Sequence, residues 1–348
     1  MDPCAIVAAY KVCKVGGCFS SDILEIMEAA IIDDVDVLSI SLDCSNADYY
    51  CDNVVIGVFV MMQREIFVLC FAENVGTLAY MHLNVAPWIT TGPNAIAPKS
   101  LKLDLIMPGV NILAAGLGAL GRTWLLVDDR LVVFNIISDM SMSCPHVSGL
   151  AALIKGARPR WSLTTARLAL MTTAYVAYGD GEALQDVAMG WASMTFDHGA
   201  GHVHSVKVLE LGLVYNIAVA DYSGFLCALG YVSECDEGSY VVEDLNHAPF
   251  DVVFKGSEGV ATETVRHEWS LTNVRATTMY RVRVMMGSEA MKVVVEPEEL
   301  RFGAENEKKV FVVSFSSTVG AMSKQVFRRL EWSDGKHVVG SLIAVSWM

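Results

Sequence analysis

Hydrophobic and polar residues follow two different periods along this chain. In the first half, residues 21–32 place apolar side chains at helical spacing, and Ser20-Ser21-Asp22 supplies a helix start signal. Residues 35–42 and 66–72 are short, continuous apolar runs typical of buried strands in a parallel sheet, and residues 54–63 between them favour a helix. This alternation of helix and strand predicts a layered α/β domain.

A second set of elements follows near the middle of the chain. Residues 134–138 predict a strand, and residues 141–157 predict a long helix rich in small side chains. Pro145 is expected in the first turn of that helix, where the missing N–H costs nothing. A further helix is expected over residues 162–176, with Ser162 as its cap.

The period changes to two from about residue 240 onward. Alternating runs at residues 292–296, 309–315 and 330–347 predict strands, and Asp334-Gly335 marks a tight hairpin turn. Several such strands predict an all-β sandwich. We therefore expect two domains, an α/β domain over residues 1–235 and a sandwich over residues 236–348.

Composition agrees with this division and excludes some partners. The chain has 348 residues, of which 53% are hydrophobic and 18% charged, so it has enough apolar side chains for an extensive core. Its longest apolar runs are too short to cross a bilayer, and its first residues lack the features of a signal peptide. A formal charge of −14 disfavours nucleic acid. Neither a membrane nor a nucleic acid is predicted as a partner.

The nine cysteines are irregularly spaced, and no CxxC pair occurs. A compact zinc module is therefore not predicted, and buried free thiols are the expected state of most of them. The number of cysteines alone does not decide the compartment or the disulfide state. The positions are Cys4, Cys13, Cys18, Cys44, Cys51, Cys70, Cys144, Cys227 and Cys235.

The most specific signal in the chain is residues 139–149, Asp-Met-Ser-Met-Ser-Cys-Pro-His-Val-Ser-Gly. This segment closely resembles the nucleophile motif of subtilases, Gly-Thr-Ser-Met-Ser-x-Pro-His-Val-Ser-Gly, with Ser141 at the nucleophile position. A serine in the first turn of a helix holds its Oγ near backbone amides that can help to stabilise an oxyanion. The resemblance therefore implies acyl-transfer chemistry at Ser141.

Further segments carry the same resemblance, to plant subtilases of the cucumisin-like type, over nearly the whole chain. Residues 71–76, Phe-Ala-Glu-Asn-Val-Gly, resemble the element that would make Asn74 the side-chain donor to the oxyanion. Residues 36–42 resemble the strand whose edge pairs with bound substrate, which implies substrate binding at Ser41, Leu42 and Asp43. Residues 7–22, 102–110, 196–203 and 272–274 also resemble family landmarks. The implied fold is a partial subtilisin-like parallel sheet with flanking helices, followed by a fibronectin type III-like sandwich.

The resemblance also implies which parts of a serine protease are missing. In the family, an Asp and a His precede the serine, and together they activate it. Only His82 precedes Ser141 here; its surroundings do not resemble the family's His segment, and the Asp segment is not found. His146 lies five residues after Ser141, about 140° around the helix, and is expected to be a buried structural histidine. The protease-associated insert usual in plant members is also missing.

The expected function is therefore a serine-type endopeptidase by resemblance, acting on peptide or protein substrates but inactive as this chain alone. Asp139-Met140 stands where the family has Gly-Thr, and Glu73 stands beside Asn74. Both changes add negative charge near the oxyanion, which opposes the charge that develops in the reaction. The alternative is a non-catalytic pseudoprotease that binds peptides by strand addition near Ser41.

Two other properties are expected. His198, His202 and His204 have a spacing that could bind a metal ion, but the resemblance accounts for His202 without a metal, so neither a metal nor a cofactor is expected. The resemblance implies an extracellular location. The oligomeric state stays open.

Overall fold

The fold was determined as a computed structural model. It describes residues 3–14, 17–41, 53–70, 86–87, 104–116, 127–186, 191–193, 198–228, 230, 235, 245–246, 248, 250–254, 262–285, 291–317 and 326–347. The statements below concern these residues.

The helices and strands follow one another in an α/β half and an all-β half. The helices are α1 (Ser20–Ile32), α2 (Asn53–Gln63), α3 (Met140–Ala157), α4 (Leu163–Thr173) and α5 (Val219–Ala228), with a short 3₁₀ helix at Lys207–Glu210. The strands of the first half are β1 (Val37–Ile40), β2 (Phe67–Cys70), β3 (Ala86–Pro87), β4 (Ile106–Met107), β5 (Ile112–Ala115), β6 (Phe134–Ile137), β7 (Gln185–Asp186), β8 (Trp191–Ala192) and β9 (Leu213–Val214). The strands of the second half are β10 (Phe250–Phe254), β11 (Glu263–Asn273), β12 (Thr278–Met285), β13 (Met291–Glu296), β14 (Glu299–Phe302), β15 (Lys308–Ser317), β16 (Val326–Ser333) and β17 (Val338–Trp347).

The first half is built on a parallel strand pair. β1 and β2 run parallel, with Val37 opposite Phe67 and Ile40 opposite Cys70. Helix α1 packs on α2, and their apolar faces bury Ile23, Met27 and Met61 against β1 and its neighbours. The predicted α/β class is confirmed, and each strand is shorter than the apolar run that predicted it.

Helix α3 lies against β1, β2 and β4. It buries Cys144, Val147, Ala151 and Ile154 on one face, as a helix with apolar residues three and four positions apart should. Pro145 is the sixth residue of α3, so it lies in the second turn and not in the first turn where it was predicted. There it removes the N–H that would otherwise bond to the Ser141 carbonyl.

The second half is a sandwich of two sheets, as predicted. One sheet has the order β10-β17-β16-β12-β14, and the other has the order β13-β15-β11-β9. Strands β16 and β17 pair antiparallel around the predicted Asp334-Gly335 turn, and Gly335 has φ of +91°, which glycine adopts without steric cost. The space between the sheets is filled with aromatic side chains, including Trp269, Phe311, Phe315 and Trp332.

The two halves share one continuous core. Strand β9 comes before residue 235 but pairs with β11 of the sandwich. Helix α4 packs on β17, and the buried Tyr215 hydroxyl lies 2.7 Å from the Ser341 hydroxyl. The predicted boundary at residue 235 stays a prediction, and the contacts across it are extensive.

Arg329 of β16 ties the sandwich to the α/β half. Its guanidinium donates to the Ala174 carbonyl at 2.9 Å and to the Ala200 carbonyl at 3.3 Å. It also pairs with Glu331 at 2.9 Å, and its side chain is 10% exposed. Burial lowers the pKa of Arg329, and Glu331 opposes this effect.

Four cysteines are disulfide-bonded, which corrects the expectation of free thiols at these positions. Cys13 pairs with Cys18, and Cys227 pairs with Cys235. Cys144 is a buried thiol as expected, whereas Cys4 is exposed. Cys44 and Cys51 lie outside the described residues. Two closed loops of this kind are typical of proteins that fold in an oxidising compartment.

None of the helices in the described ranges combines the length and apolar character needed to cross a membrane.

Candidate functional site

Ser141 lies at the edge of the parallel strand pair. It is the second residue of α3, and its side chain is half-buried. The first turns of α3 approach the carboxyl ends of β1 and β2, where Ile40 and Cys70 are paired. In open parallel sheets this edge collects ligands and reacting groups, because loops and helix starts meet there.

Cys144 fixes the position of this helix start. Its Sγ lies 3.2 Å from the Ser39 hydroxyl, 3.6 Å from the Leu69 carbonyl and 3.9 Å from the Ile40 carbonyl. The Cys144 thiol, about one helical turn after Ser141, therefore contacts both β1 and β2. Burial raises the pKa of Cys144, so it stays a neutral thiol and serves packing instead of acting as a nucleophile.

Asp139 caps α3 directly in front of Ser141. Its backbone is extended, with φ of −162° and ψ of 155°, and its Oδ1 accepts the Ser141 N–H at 2.7 Å. The Asp139 carbonyl accepts the Met142 N–H at 3.1 Å. The carboxylate and the carbonyl of Asp139 therefore accept hydrogen bonds from two of the first backbone N–H groups of the helix.

The segment after β4 holds this cap from the other side. The Asp139 N–H donates to the Gly109 carbonyl at 2.9 Å, and the Asn111 N–H donates to the Ser138 hydroxyl at 2.9 Å. β5 and β6 continue the contact as an antiparallel pair, with Ile112 opposite Ile137. The approach to Ser141 is therefore hydrogen-bonded along its length and not a loose loop.

His146 does not face Ser141, as the helical spacing predicted. Its ring Nδ1 donates to the Met142 carbonyl at 2.9 Å. The prediction that it is buried is wrong, because it lies with Pro145 on the face of α3 that none of the described residues covers. The helical spacing was sufficient to exclude His146 as the base for Ser141, but it did not show that this face of α3 is exposed.

The other described histidines also have partners away from Ser141. His198 Nδ1 lies 3.0 Å from the Ser193 hydroxyl, His202 Nδ1 donates to the Val203 carbonyl at 3.0 Å, and His204 Nδ1 accepts the Lys207 N–H at 3.3 Å. His337 Nδ1 lies 2.7 Å from the Asp334 carboxylate in the hairpin turn of the sandwich. His267 stacks against Trp269 in the sandwich core.

His198, His202 and His204 have a lowered affinity for a proton. Burial, and then the nearby Arg329 guanidinium, lower the pKa of His198 to about 4. Burial is also the main cause of the lowered pKa of His202 and His204. Each Nδ1 is already hydrogen-bonded, and the described residues hold no group of three or more His, Cys, Asp or Glu side chains arranged for a metal ion.

The remaining predicted site residues are only partly described. Ser41 is exposed just beyond the end of β1. Leu42, Asp43 and Asn74 lie outside the described residues, as do Glu73 and His82. The structure therefore places Ser141 near the carboxyl ends of β1 and β2, and it does not test the predicted roles of Asn74, Leu42 and Asp43.

Two features of the site were not predicted from the sequence. The hydrogen bond from Ser141 to Asp139 had a readable signal, because aspartate is a preferred N-cap residue. The contact of Cys144 with Ser39 and Leu69 had none, because 105 and 75 residues separate it from these partners.

Comparison with protein families agrees with the fold. The model of the subtilase family matches residues 3–201, and the model of a fibronectin type-III domain matches residues 244–345. The chain belongs to the subtilase family. Both matches are consistent with the division into an α/β half and a sandwich.

Curated relatives include plant proteases. Subtilisin-like protease SBT1.7 of Arabidopsis thaliana is 35% identical over 521 aligned residues, which cover 100% of this chain and 68% of that protein. SBT1.4 of the same plant is 30% identical, covering 99% and 67%. The subtilisin-like protease Glyma18g48580 of Glycine max is 35% identical over 275 residues, covering 75% and 34%. Because the SBT1.7 alignment is longer than the 348 residues of this chain, that relative has sequence within the matched region that this chain lacks.

Among solved structures, the prenylagaramide maturation protease PagA overlaps 56% of this chain and 67% of its own, with a TM-score of 0.35 at 16% identity.

Proposed function

We propose that Ser141 is the nucleophile of a subtilisin-type serine endopeptidase site, and that this chain by itself binds peptides without hydrolysing them. The observation that carries the proposal is the position of Ser141 on the first turn of α3, beside the carboxyl ends of β1 and β2. Membership of the subtilase family supports peptide or protein substrates.

The second part of the proposal rests on the described histidines, because none of their ring nitrogens bonds to the Ser141 hydroxyl. A serine hydroxyl is a weak nucleophile until a base removes its proton. His146 bonds to the Met142 carbonyl, and the rings of His198, His202 and His204 bond to the Ser193 hydroxyl, the Val203 carbonyl and the Lys207 N–H. A serine protease that keeps its serine and its oxyanion donors but lacks the base retains only a small part of the rate acceleration of the complete enzyme.

Peptide binding is proposed at the edge of β1 that lies opposite β2. Within the described ranges, β1 pairs only with β2, so this edge has no strand partner among those residues. An extended peptide can add to such an edge through main-chain hydrogen bonds. We assign Ser41, Leu42 and Asp43 to this surface, and to Asn74 the role of an oxyanion donor, on the basis of the resemblance.

An extracellular location is part of the proposal. The disulfides Cys13–Cys18 and Cys227–Cys235 suit an oxidising compartment. The domain boundary near residue 235 is proposed on the same basis, since it lies between the two family matches.

A fluorophosphonate probe tests the nucleophile assignment, because it reacts only with an activated serine. The purified chain is expected to show no more labelling than Ser141→Ala. A chimera that adds the family's Asp and His segments ahead of residue 3 is expected to label at Ser141, and Ser141→Ala in the chimera removes that label. A folded chimera that does not label at Ser141, either with Asp139 or with Asp139→Ala, would contradict the assignment.

A peptide-binding measurement tests whether this chain binds peptides at β1 and whether it cleaves them. Fluorescence anisotropy with labelled peptides is expected to show binding that Ser41→Pro weakens. Mass spectrometry of the same peptides is expected to show no cleavage product. Labelling of the unmodified chain at Ser141 would overturn the claim that it does not hydrolyse peptides. Absence of any peptide binding would overturn the claim of strand addition.

A further inference from the structure

The Asp139 carboxylate accepts a hydrogen bond from the Ser141 N–H, a donor that acyl transfer would need free to stabilise the oxyanion. The Ser141 N–H points at Asp139 Oδ1 at 2.7 Å. Donors to an oxyanion lie about 2.7 to 3.1 Å from it, so this carboxylate oxygen is at the distance that a reacting oxyanion would require. A carboxylate oxygen also carries the same type of charge as an oxyanion.

The carboxylate competes with an oxyanion in two ways. It uses the N–H closest to the serine hydroxyl, and one N–H cannot donate fully to two anions. Its own negative charge also repels a second anion placed a few ångströms away. Both effects oppose the charge that develops when Ser141 attacks a carbonyl.

The backbone around Asp139 keeps the carboxylate in this position. The Asp139 N–H is bonded to the Gly109 carbonyl, and Ser138 is bonded to the Asn111 N–H. The extended backbone of Asp139 is one that any residue adopts, so the contact comes from its side chain and not from an unusual conformation. Loss of the side chain should therefore leave the path of the chain in place.

We propose that Asp139 is a blocking residue that closes the amide of Ser141 to anions. The proposal rests on the proposed function, because the blocked position matters only if Ser141 is the nucleophile. It assigns to this chain an inhibitory contact within its own nucleophile motif, made by the carboxylate that replaces the family's glycine. Restoring the Asp and His segments would then leave catalysis weak until Asp139 is also replaced.

The amide itself can be examined without any activity. The full chain is labelled with ¹⁵N-serine, the Ser141 signal is assigned by its absence in Ser141→Ala, and acetate is added against an equal concentration of chloride. In Asp139→Ala, acetate is expected to shift the Ser141 amide signal with an apparent affinity roughly tenfold or more above that of the wild type. Equal responses of wild type and Asp139→Ala would overturn the proposal.

Two further variants separate blocking from other effects. Asp139→Asn keeps a neutral acceptor on the Ser141 N–H and is expected to resist acetate as the wild type does; a response like that of Asp139→Ala would contradict blocking by occupancy. Ser162→Ala removes the matching cap of α4, where the Ser162 hydroxyl accepts the Thr165 N–H at 3.2 Å. It controls for loss of a cap and is expected to leave the Ser141 signal unchanged by acetate.

The acetate titration of the Ser141 amide gives its result whether or not Ser141 is catalytic, so a labelling experiment is needed beside it. In the chimera with the added Asp and His segments, Asp139→Ala is expected to raise the rate of fluorophosphonate labelling at Ser141 by roughly tenfold or more. If acetate binds the Asp139→Ala amide but neither chimera labels, the proposed function fails while the blocking contact stands. If the chimera labels at the same rate with and without Asp139, the blocking role fails while the nucleophile assignment stands.

Discussion

The sandwich and the α/β half differ in how completely they cover their apolar side chains. In the sandwich, Trp332, Phe311 and Phe315 are each 0% exposed. In the α/β half, Phe134 is 61% exposed and Trp191 is 71% exposed.

The difference follows from which strands pair. Antiparallel strands such as β16 and β17 are joined by a tight turn, so each strand finds its partner nearby in the sequence. The parallel strands β1 and β2 need a crossover helix, and among the described residues no third strand joins their sheet. The sandwich therefore encloses its core between sheets of five and four paired strands, whereas the described part of the parallel sheet has two strands to cover its side chains.

Truncation of a core tryptophan should give the largest contrast between the two regions. Trp332→Ala removes a fully buried side chain from the sandwich and is expected to lower the free energy of unfolding by about 3 to 5 kcal/mol. Trp191→Ala removes an exposed side chain and should cost less than about 0.5 kcal/mol. Urea denaturation followed by far-UV circular dichroism measures both. Similar losses for the two variants would show that the two regions do not differ in this way.

The contact between the regions can be broken at Arg329. Arg329→Met keeps most of the side-chain volume but leaves Glu331 and the carbonyls of Ala174 and Ala200 without their donor. The expected cost is about 3 kcal/mol, with one unfolding transition separating into two. The matched control Arg301→Met alters a side chain that is 76% exposed and should cost less than about 0.5 kcal/mol. A single unchanged transition in Arg329→Met would contradict this assignment.

The same contact should make stability depend on pH. Burial, and then Arg329, lower the pKa of His198 from 6.5 to about 4, so the folded protein keeps the ring neutral where the unfolded chain binds a proton. The stabilisation is fully present above about pH 6.5 and is lost as the pH falls toward 4, by about 3 kcal/mol in all.

Substitution of His198 checks that pH dependence. His198→Gln is expected to flatten the free energy of unfolding between pH 6.5 and 4, as measured by urea denaturation at several pH values. His146→Gln, which alters an exposed histidine of α3 outside this contact, is the matched control. An unaltered slope in His198→Gln would assign the effect to other groups.

Helix caps should give the smallest effects. Asp139→Ala and Ser162→Ala each remove a side-chain acceptor from the first turn of a helix, and each is expected to cost about 1 kcal/mol. Thermal unfolding of both variants checks this value. A much larger loss for Asp139→Ala would mean that its carboxylate holds more than the Ser141 amide.

Local patterns were sufficient for much of this protein, as particular elements show. Helix α1 was predicted over residues 21–32 and begins at Ser20, and the turn at Asp334-Gly335 lies where the sequence predicted it. The placement of Ser141 at a helix start also followed from the motif. These features depend on neighbours within a few residues, through periodicity, capping and turn geometry.

Other features needed the folded chain. His146 was expected to be buried, but the partner that would cover it is not set by the helix that contains it. The disulfides Cys13–Cys18 and Cys227–Cys235 required the distance between the cysteines. The pairing of β9 with β11 joined a segment of the first half to the sandwich, which a division by periodicity had separated.

The sequence by itself determined the family, the α/β half followed by a sandwich, and the serine that opens α3, because each is written in short-range patterns of residue type. Only the tertiary structure decided that the Asp139 carboxylate bonds to the Ser141 amide, that Cys144 bridges two strands, and that Arg329 joins the two halves. Those contacts depend on distances between atoms, either across the fold or at a single cap, and residue order alone does not fix such distances.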